Sequence, residues 1–315
     1  MGHAEQCRFA VVTAWPDEDW HSRRLLDACG RFGPACAVDP AALSAFVGEG
    51  SDVRAAGEPA GRFDAFVLVR GFGRGGDPDV QFEIYRELEA SGAVVVNGID
   101  ALLAAQDKFR STCLLARAGL PTPRAAVAQR PEDAESALTE MGEAVLKPIA
   151  GSLGEGLLQV RADGAGRAAL RERIAQDGVA YLQELVPTGG RDLRLFVVGG
   201  CVVGAMERVA PPGEWRTNVA QGATVRPYVA AGEVRAIAEG AAAALGLDYA
   251  GVDLADGGEG ATVLEVNGNP SWRGILDATG QDMAERIAEH VWARATGRGR
   301  RGRTSGQEET GARHG

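Results

Sequence analysis

Three short apolar runs punctuate the first hundred residues: RFAVVTA (8–14), FDAFVLVRG (63–71) and GAVVVNG (92–98). Each has the length and composition of a strand. Between them the apolar positions spread to helical spacing. DWHSRRLLDACGRF (19–32) sets Trp20, Leu25, Leu26 and Cys29 on one stripe, and DVQFEIYRELEASG (79–92) is amphipathic and ends at Gly92. Strand–helix–strand order predicts a small α/β layer with a parallel sheet. GEGSDVRAAGEPAGR (48–62) is expected to be a surface loop.

Residues 100–118 read as helical, closed by AGLPTP, with Gly119 as the cap and Pro121 and Pro123 beyond it. Pro131 opens the next helix, PEDAESALTEM. EAVLKP (143–148), LLQV (157–160) and VAYLQELV (179–186) are predicted strands, the first two separated by GSLGEG. DLRLFVVGG and CVVGAMERV form a hairpin about Gly199-Gly200. GEVRAIAEGAAAALGLD places Val234, Ile237, Ala238, Ala241 and Leu245 at core spacing. AGVDLAD and ATVLEVN are a closing strand pair around a GGEG turn, and a last helix covers 281–296. The reading divides the chain into a lead α/β domain (1–100), a central unit (101–187), a C-terminal unit (188–297) and a tail (298–315) expected to be disordered.

Composition removes some function classes. A formal net charge of −10 over 315 residues is the wrong sign for a general nucleic-acid binder. Local arginine clusters still act on anionic ligands against that background. No apolar run approaches the ~20 residues that span a bilayer. The N-terminus lacks a basic segment followed by an apolar core, so no secretory signal is expected. Five cysteines, an odd number without C-x-x-C spacing, fit a reducing cytoplasm better than a disulfide framework or zinc knuckle.

Chemistry concentrates in the second half. In VLEVNGNP (263–270), Glu265 and Asn267 alternate on one face of a strand, together with Val263. Asp253 lies on the neighbouring strand. Two carboxylates and a carboxamide oxygen are hard ligands of the kind Mg²⁺ takes, although a capped, solvated strand end reads the same way when taken alone. VLKPIAGSLGEGL places Lys147 at a strand end before Gly151, Ser152, Gly154 and Gly156, whose backbone N–H groups can approach phosphate oxygens. This loop is neither a Walker A nor a Rossmann fingerprint, and a flexible hairpin is its bland reading. Lys108 opens a helix after Asp107, Glu184 closes a strand, and Asp192 and Arg194 alternate on the next. Arg208, Arg216 and Asn218 follow. Several arginines around one site suit a carboxylate substrate and developing phosphate charge. No Ser/His/Asp or Cys/His nucleophilic set is evident among the four histidines.

Together, DKFRSTCLLARAGLPTP, VLKPIAGSLGEGL, YLQELV, DLRLFVVGGCVVGAMERV, WRTNVAQGA, AGVDL and LEVNGNP resemble the ATP-grasp superfamily, and within it the RimK-like amino-acid ligases. The resemblance spans about residues 100–280. It implies an ATP-grasp fold of α/β (α+β) class behind an N-terminal α/β lead domain. It also implies an ATP-dependent carboxylate–amine ligase that works through an acyl phosphate. Carried over by position, Lys108 and Lys147 contact the nucleotide phosphates, and Gly151, Ser152, Gly154 and Gly156 close over them. Gln183, Glu184 and Leu185 line the adenine pocket, and Asp192 touches the ribose side. Arg194 and Arg216 act catalytically, with Asn218 beside the phosphates. Asp253, Glu265 and Asn267 hold two Mg²⁺ (or Mn²⁺) ions.

L-glutamate is the implied amine, and a small-molecule carboxylate the implied acceptor. The tetrahydromethanopterin-type subgroup is the nearest in NVAQGA and NGNPSWRGI. A protein C-terminus or peptide as acceptor, another amino acid as amine, and a non-catalytic nucleotide-binding module are the alternatives. No nucleic-acid or membrane partner is expected, and a homo-oligomer is. Leu153, where the family often has Gln, and Ser271, where it often has Gly, depart from the pattern.

Overall fold

The computed structural model describes residues 7–48, 50–149, 156–218, 222–256 and 260–297. The chain forms two compact units, one reaching Ile99 and resuming at Met283, the other running from Asp100 to Asp282.

The first unit begins with β1 (Phe9–Val12), α1 (Trp20–Cys29), β2 (Ala35–Val38), β3 (Leu43–Val47), β4 (Ser51–Ala55), β5 (Glu58–Pro59), β6 (Ala65–Leu68), α2 (Pro78–Ala90) and β7 (Val94–Val96). Four strands make a parallel sheet in the order β2-β1-β6-β7. β1 and β6 are buried at every position, as continuous apolar runs in a parallel sheet require. Asp19 and Asp77 start the helices by accepting the amide N–H of Ser22 and Val80. The loop expected at 48–62 is instead β4 and β5, which complete a three-stranded antiparallel sheet with β3. Only Val53 and Ala55 of β4 are buried, an alternation too short to stand out among glycines and charges.

The second unit contains α3 (Ile99–Gln106), α4 (Lys108–Arg117), β8 (Ala125–Ala128), α5 (Pro131–Met141), β9 (Glu143–Lys147), β10 (Leu158–Arg161), α6 (Gly164–Asp177) and β11 (Ala180–Glu184). It continues with β12 (Arg191–Val198), β13 (Cys201–Val209), β14 (Thr224–Pro227), α7 (Gly232–Ala244), β15 (Tyr249–Asp256), β16 (Ala261–Asn267) and α8 (Arg273–Thr279). Its smaller sheet runs β10-β9-β11-β8, all antiparallel. Leu146 and Leu182 of that sheet share a core with Leu138 of α5 and Leu170 of α6.

The larger sheet runs β14-β13-β12-β15-β16. Gly199 (φ 59°) and Gly200 (φ 79°) make the β12–β13 turn, where both positions demand the left-handed region. One face carries Leu193, Leu195, Val197, Ala250, Val252 and Leu254 against Val234, Ile237, Ala238 and Ala241 of α7. Residues of the opposite parity therefore point away from this core. A bulge in β16 refines that rule. Asp253 pairs with Glu265, but Leu254 pairs with Val263, so Leu264 is extra. The expectation of Val263 sharing a face with Glu265 and Asn267 is thereby corrected. Val263 and Val266 enter the apolar core, which leaves the two polar residues on the other side.

Helix α9 (Met283–Ala295) belongs to the first unit, where the sequence reading carried the C-terminal unit through 297. It packs on α1, with Phe32 and Trp292 ring centroids 5.5 Å apart. Ile287, Ala288 and Val291 are wholly buried. Periodicity shows that such a helix has an apolar face but not which unit it covers. The tail 298–315 lies outside the described residues. No described helix is long and apolar enough to cross a membrane.

Replacing Ile287 by Ala should lower the stability of the first unit by about 2–4 kcal/mol, because a fully buried side chain leaves a cavity. Denaturant unfolding followed by circular dichroism checks this. An unchanged transition would mean that α9 is not part of that core.

Candidate active site

The polar face of the larger sheet is built on a buried charge network. Arg194, opposite Asp253 in the ladder, forms a two-pronged ion pair with its carboxylate. Arg208 lies on the other flank of β12. Its Nε donates to Asp192 Oδ1 at 2.6 Å, and its Nη2 lies 3.1 Å from Asp253 Oδ2. The Thr217 hydroxyl donates to Asp192 as well. Asp192, Arg208 and Asp253 are each only 4% exposed, so these charges depend on one another rather than on water. Burial pushes the Asp253 carboxyl up, but Arg194 and then Arg208 outweigh it and hold the group below the usual carboxylate range.

Two lysines converge on the same face. Lys108, in the first turn of α4, is buried, and its Nζ lies 3.5 Å from Glu265 Oε1. A solvated first turn is thus excluded for it. Lys147, at the end of β9, donates to Gln183 Oε1 on β11, and Gln183 Nε2 donates to Leu264 O at 3.4 Å. Burial lowers the Lys147 ammonium below its ordinary value; Glu265 pulls it back, Lys108 lowers it further, and Asp253 raises it. Arg194, Arg208, Lys108 and Lys147 thus set four positive charges beside the three negative ones of Asp192, Asp253 and Glu265. That arrangement favours an anionic ligand.

Asp253 and Glu265 face each other across β15 and β16. Two carboxylates so placed repel unless cations intervene. Asn267 sits two residues further on, its Nδ2 3.4 Å from Gly251 O. The glycine is dictated by packing, since a Cβ at Gly251 would come within 2.8 Å of Pro270 Cβ. Among the described residues no group of three or more His, Cys, Asp or Glu could hold a metal. Two carboxylates and a carboxamide oxygen fit Mg²⁺, which completes its shell with water and phosphate oxygens.

Other expected site residues have partners of their own. Arg124 holds the Glu184 carboxylate by two hydrogen bonds of 2.9 and 2.7 Å. The Leu185 amide reaches Glu143 O at 3.3 Å. Arg216 pairs with Glu214 at 2.7 Å, and this pairing, more than anything else, holds the Glu214 carboxyl down at about 2. Asn218 ends the described stretch before residues 219–221. Gly151, Ser152 and Gly154 lie outside the described residues. Gly156 is held by Arg173, whose Nη2 donates to its carbonyl at 2.9 Å. Sequence reasoning counted Arg208 among the arginines around one site without pairing it to Asp192, and gave Thr217 no role. The parity of β13 with Asp192 across the ladder was the available signal for Arg208.

A RimK-like ATP-grasp domain model matches residues 105–291. The chain belongs to the RimK-like ATP-grasp family. The tetrahydromethanopterin:alpha-L-glutamate ligase of Methanosarcina acetivorans is 35% identical over 313 residues, covering 87% of this chain and 95% of its own. A probable alpha-L-glutamate ligase of Serratia proteamaculans is 36% identical over 211 residues, covering 66% of this chain and 70% of its own. The solved ATP-grasp ligase PsnB superposes with a TM-score of 0.73 at 21% identity, over 92% of this chain and 99% of its own. A RimK domain ATP-grasp protein from Sphaerobacter thermophilus gives 0.67 at 24%, over 90% and 99%. At these identities the two structures speak for the fold alone. This RimK-like protein is an ATP-dependent ligase that forms carbon–nitrogen bonds.

The two acidic residues of the ladder should respond differently to neutralisation. Asp253→Asn leaves the largely buried Arg194 without its carboxylate partner and should cost about 3–5 kcal/mol of stability. Glu265→Ala, at a partly exposed position, should abolish turnover with the fold intact. Denaturation curves beside an ADP-release assay check both, and global unfolding of Glu265→Ala would make that residue structural.

Proposed function

We propose that this ligase adds L-glutamate to the carboxylate of a small-molecule acceptor, of the pterin-cofactor kind named for its Methanosarcina relative. What supports this most is coverage. The 35% identity extends over 87% of this chain and so reaches beyond the ATP-grasp core into the lead unit.

In this reading Lys108 and Lys147 neutralise the nucleotide phosphates, and the loop of Gly151, Ser152, Gly154 and Gly156 excludes water. Gln183, Glu184, Leu185 and Asp192 hold the nucleoside, with Asn218 at the phosphates. Asp253, Glu265 and Asn267 hold two magnesium or manganese ions. When bound, these neutralise charge on the transferring phosphoryl group. An acceptor carboxylate oxygen attacks the terminal phosphorus of ATP, and ADP leaves. The neutral amine nitrogen then attacks the acyl carbon, inorganic phosphate departs, and the nitrogen sheds a proton as the amide forms. Arg194 and Arg216 stabilise the negative charge that develops in both steps. Phosphoryl transfer asks for positioning and charge neutralisation rather than a protein nucleophile, in keeping with the set of cations above.

ADP release should require Mg-ATP, L-glutamate and a small-molecule cell extract together, and should vanish in Asn267→Ala. Release supported only by a protein fraction would redirect the activity to a protein terminus. Release with another amino acid in place of glutamate would change the amine.

Lys147 supplies a pH signature. Its ammonium is depressed in the free protein, and polyphosphate beside it favours the charged form. ATP binding should therefore take up protons between that lowered value and 10.5. Calorimetry in buffers of different ionisation enthalpy reads the uptake. Its persistence in Lys147→Met would place the proton elsewhere.

A further inference from the structure

Strand β11 carries two buried polar side chains, Tyr181 and Gln183, on one face. Between them Leu182, with Leu146 of β9, enters the apolar core of the smaller sheet. Tyr181 and Gln183 have the opposite parity and so share the other face. Lys147 lies directly across the ladder from Tyr181, on that same face. Tyr181 is 1% exposed and Gln183 3%. Polar groups buried so deeply are kept where their hydrogen bonds are met, and here the bonds lead to the two lysines of the site.

Gln183 acts directly. Its Oε1 accepts from the Lys147 ammonium, and its Nε2 donates to Leu264 O at 3.4 Å. Leu264 is the extra residue of the β16 bulge, next to Glu265. The amide thus joins Lys147, on the smaller sheet, to the strand of the larger sheet that ends in Glu265 and Asn267. Tyr181 acts at one remove. Thr112 Oγ1 donates to Lys108 O at 2.8 Å, which uses its single proton. The Tyr181 hydroxyl, 2.9 Å from Thr112 Oγ1, is therefore the donor of that pair. Lys108 N in turn donates to Ile149 O at 3.1 Å, two residues beyond Lys147.

The chemistry of these tethers matters. The two ammonium groups lie close enough for Lys108 to lower Lys147, and like charges move apart unless something holds them. A carboxylate in place of Gln183 would hold Lys147 but cancel the charge that an anion needs. An amide leaves that charge in place. A lysine fixed before its ligand arrives also loses less side-chain freedom on binding.

We infer that Gln183 and Tyr181 are positioning residues for the two phosphate lysines, Gln183 through Lys147 itself and Tyr181 through Thr112 and the first turn of α4. Two residues apart on one face of β11, they set the spacing of the two charges. The inference rests on the reading of Lys108 and Lys147 as phosphate ligands, and it gives Gln183 a task beyond lining the nucleoside pocket.

Calorimetric titration of the full-length protein with Mg-AMP-PNP, and with adenosine by competition, tests it. Gln183→Met should weaken Mg-AMP-PNP about tenfold, as loss of a hydrogen bond to a charged group does. Adenosine, which has no phosphate, should bind as before. Tyr181→Phe keeps the ring and should weaken Mg-AMP-PNP about threefold. Each loss should disappear in the background of its own lysine variant, because residues acting through one another are not additive. Gln183→Met should thus cost nothing further in Lys147→Met, nor Tyr181→Phe in Lys108→Met. Losses that add to those of the lysine variants, or that fall equally on adenosine, would make the two residues structural or nucleoside contacts and overturn the inference. Wild-type affinity in both β11 variants, beside weakened lysine variants, would overturn it too. Undiminished Mg-AMP-PNP binding in Lys147→Met and Lys108→Met alike would instead sink the phosphate reading beneath it. Far-UV circular dichroism of each variant separates lost binding from lost fold.

Discussion

The second unit depends on keeping Arg208 and its two carboxylate partners out of water. A buried guanidinium is tolerable only when its charge and donors are met, and Asp192 and Asp253 meet them from the two strands that follow one another across the sheet. That requirement ties β13, β12 and β15 together on their polar face, as leucine and valine packing on α7 ties them on the other. An apolar set of similar volume would hold the sheet about as well. The charges are therefore better explained by what they face. They keep Asp253 ionised and fixed beside Glu265.

The bulge in β16 serves the same end by local means. A strictly alternating strand would put Val263, Glu265 and Asn267 on one side, and a core residue would sit in the polar site. One extra residue reverses the parity between Val263 and Glu265. The strand is then apolar toward α7 along its whole length and polar toward Lys108 at its end.

Much of this was legible in the chain. Apolar runs and helical stripes located three of the four parallel strands, the Gly199-Gly200 hairpin and the core face of α7. Carboxylates at strand ends marked Asp253 and Glu265. What was hidden depends on long-range pairing. The bulge is invisible because alternation in a sequence does not say where a ladder slips. Arg208 was in view on a predicted hairpin strand, but the register that sets it opposite Asp192 passes a shift at Phe196/Val197 that the sequence does not show. β2 and β4 escaped because short runs of small or charged residues lack a period.

Helix α9 gives the chain an order of events. The first unit is translated first, yet Ile287, Ala288 and Val291, which complete its core, emerge only after the whole second unit. The 183 residues from Asp100 to Asp282 emerge in between and carry both of their own sheets. The unit synthesised second thus holds everything it needs to fold during translation, while the unit synthesised first waits with an open flank until α9 emerges. A ribosome that stalls before Met283 releases a folded ATP-grasp core joined to an incomplete lead unit, whose uncovered apolar surface marks the fragment for chaperones and proteases.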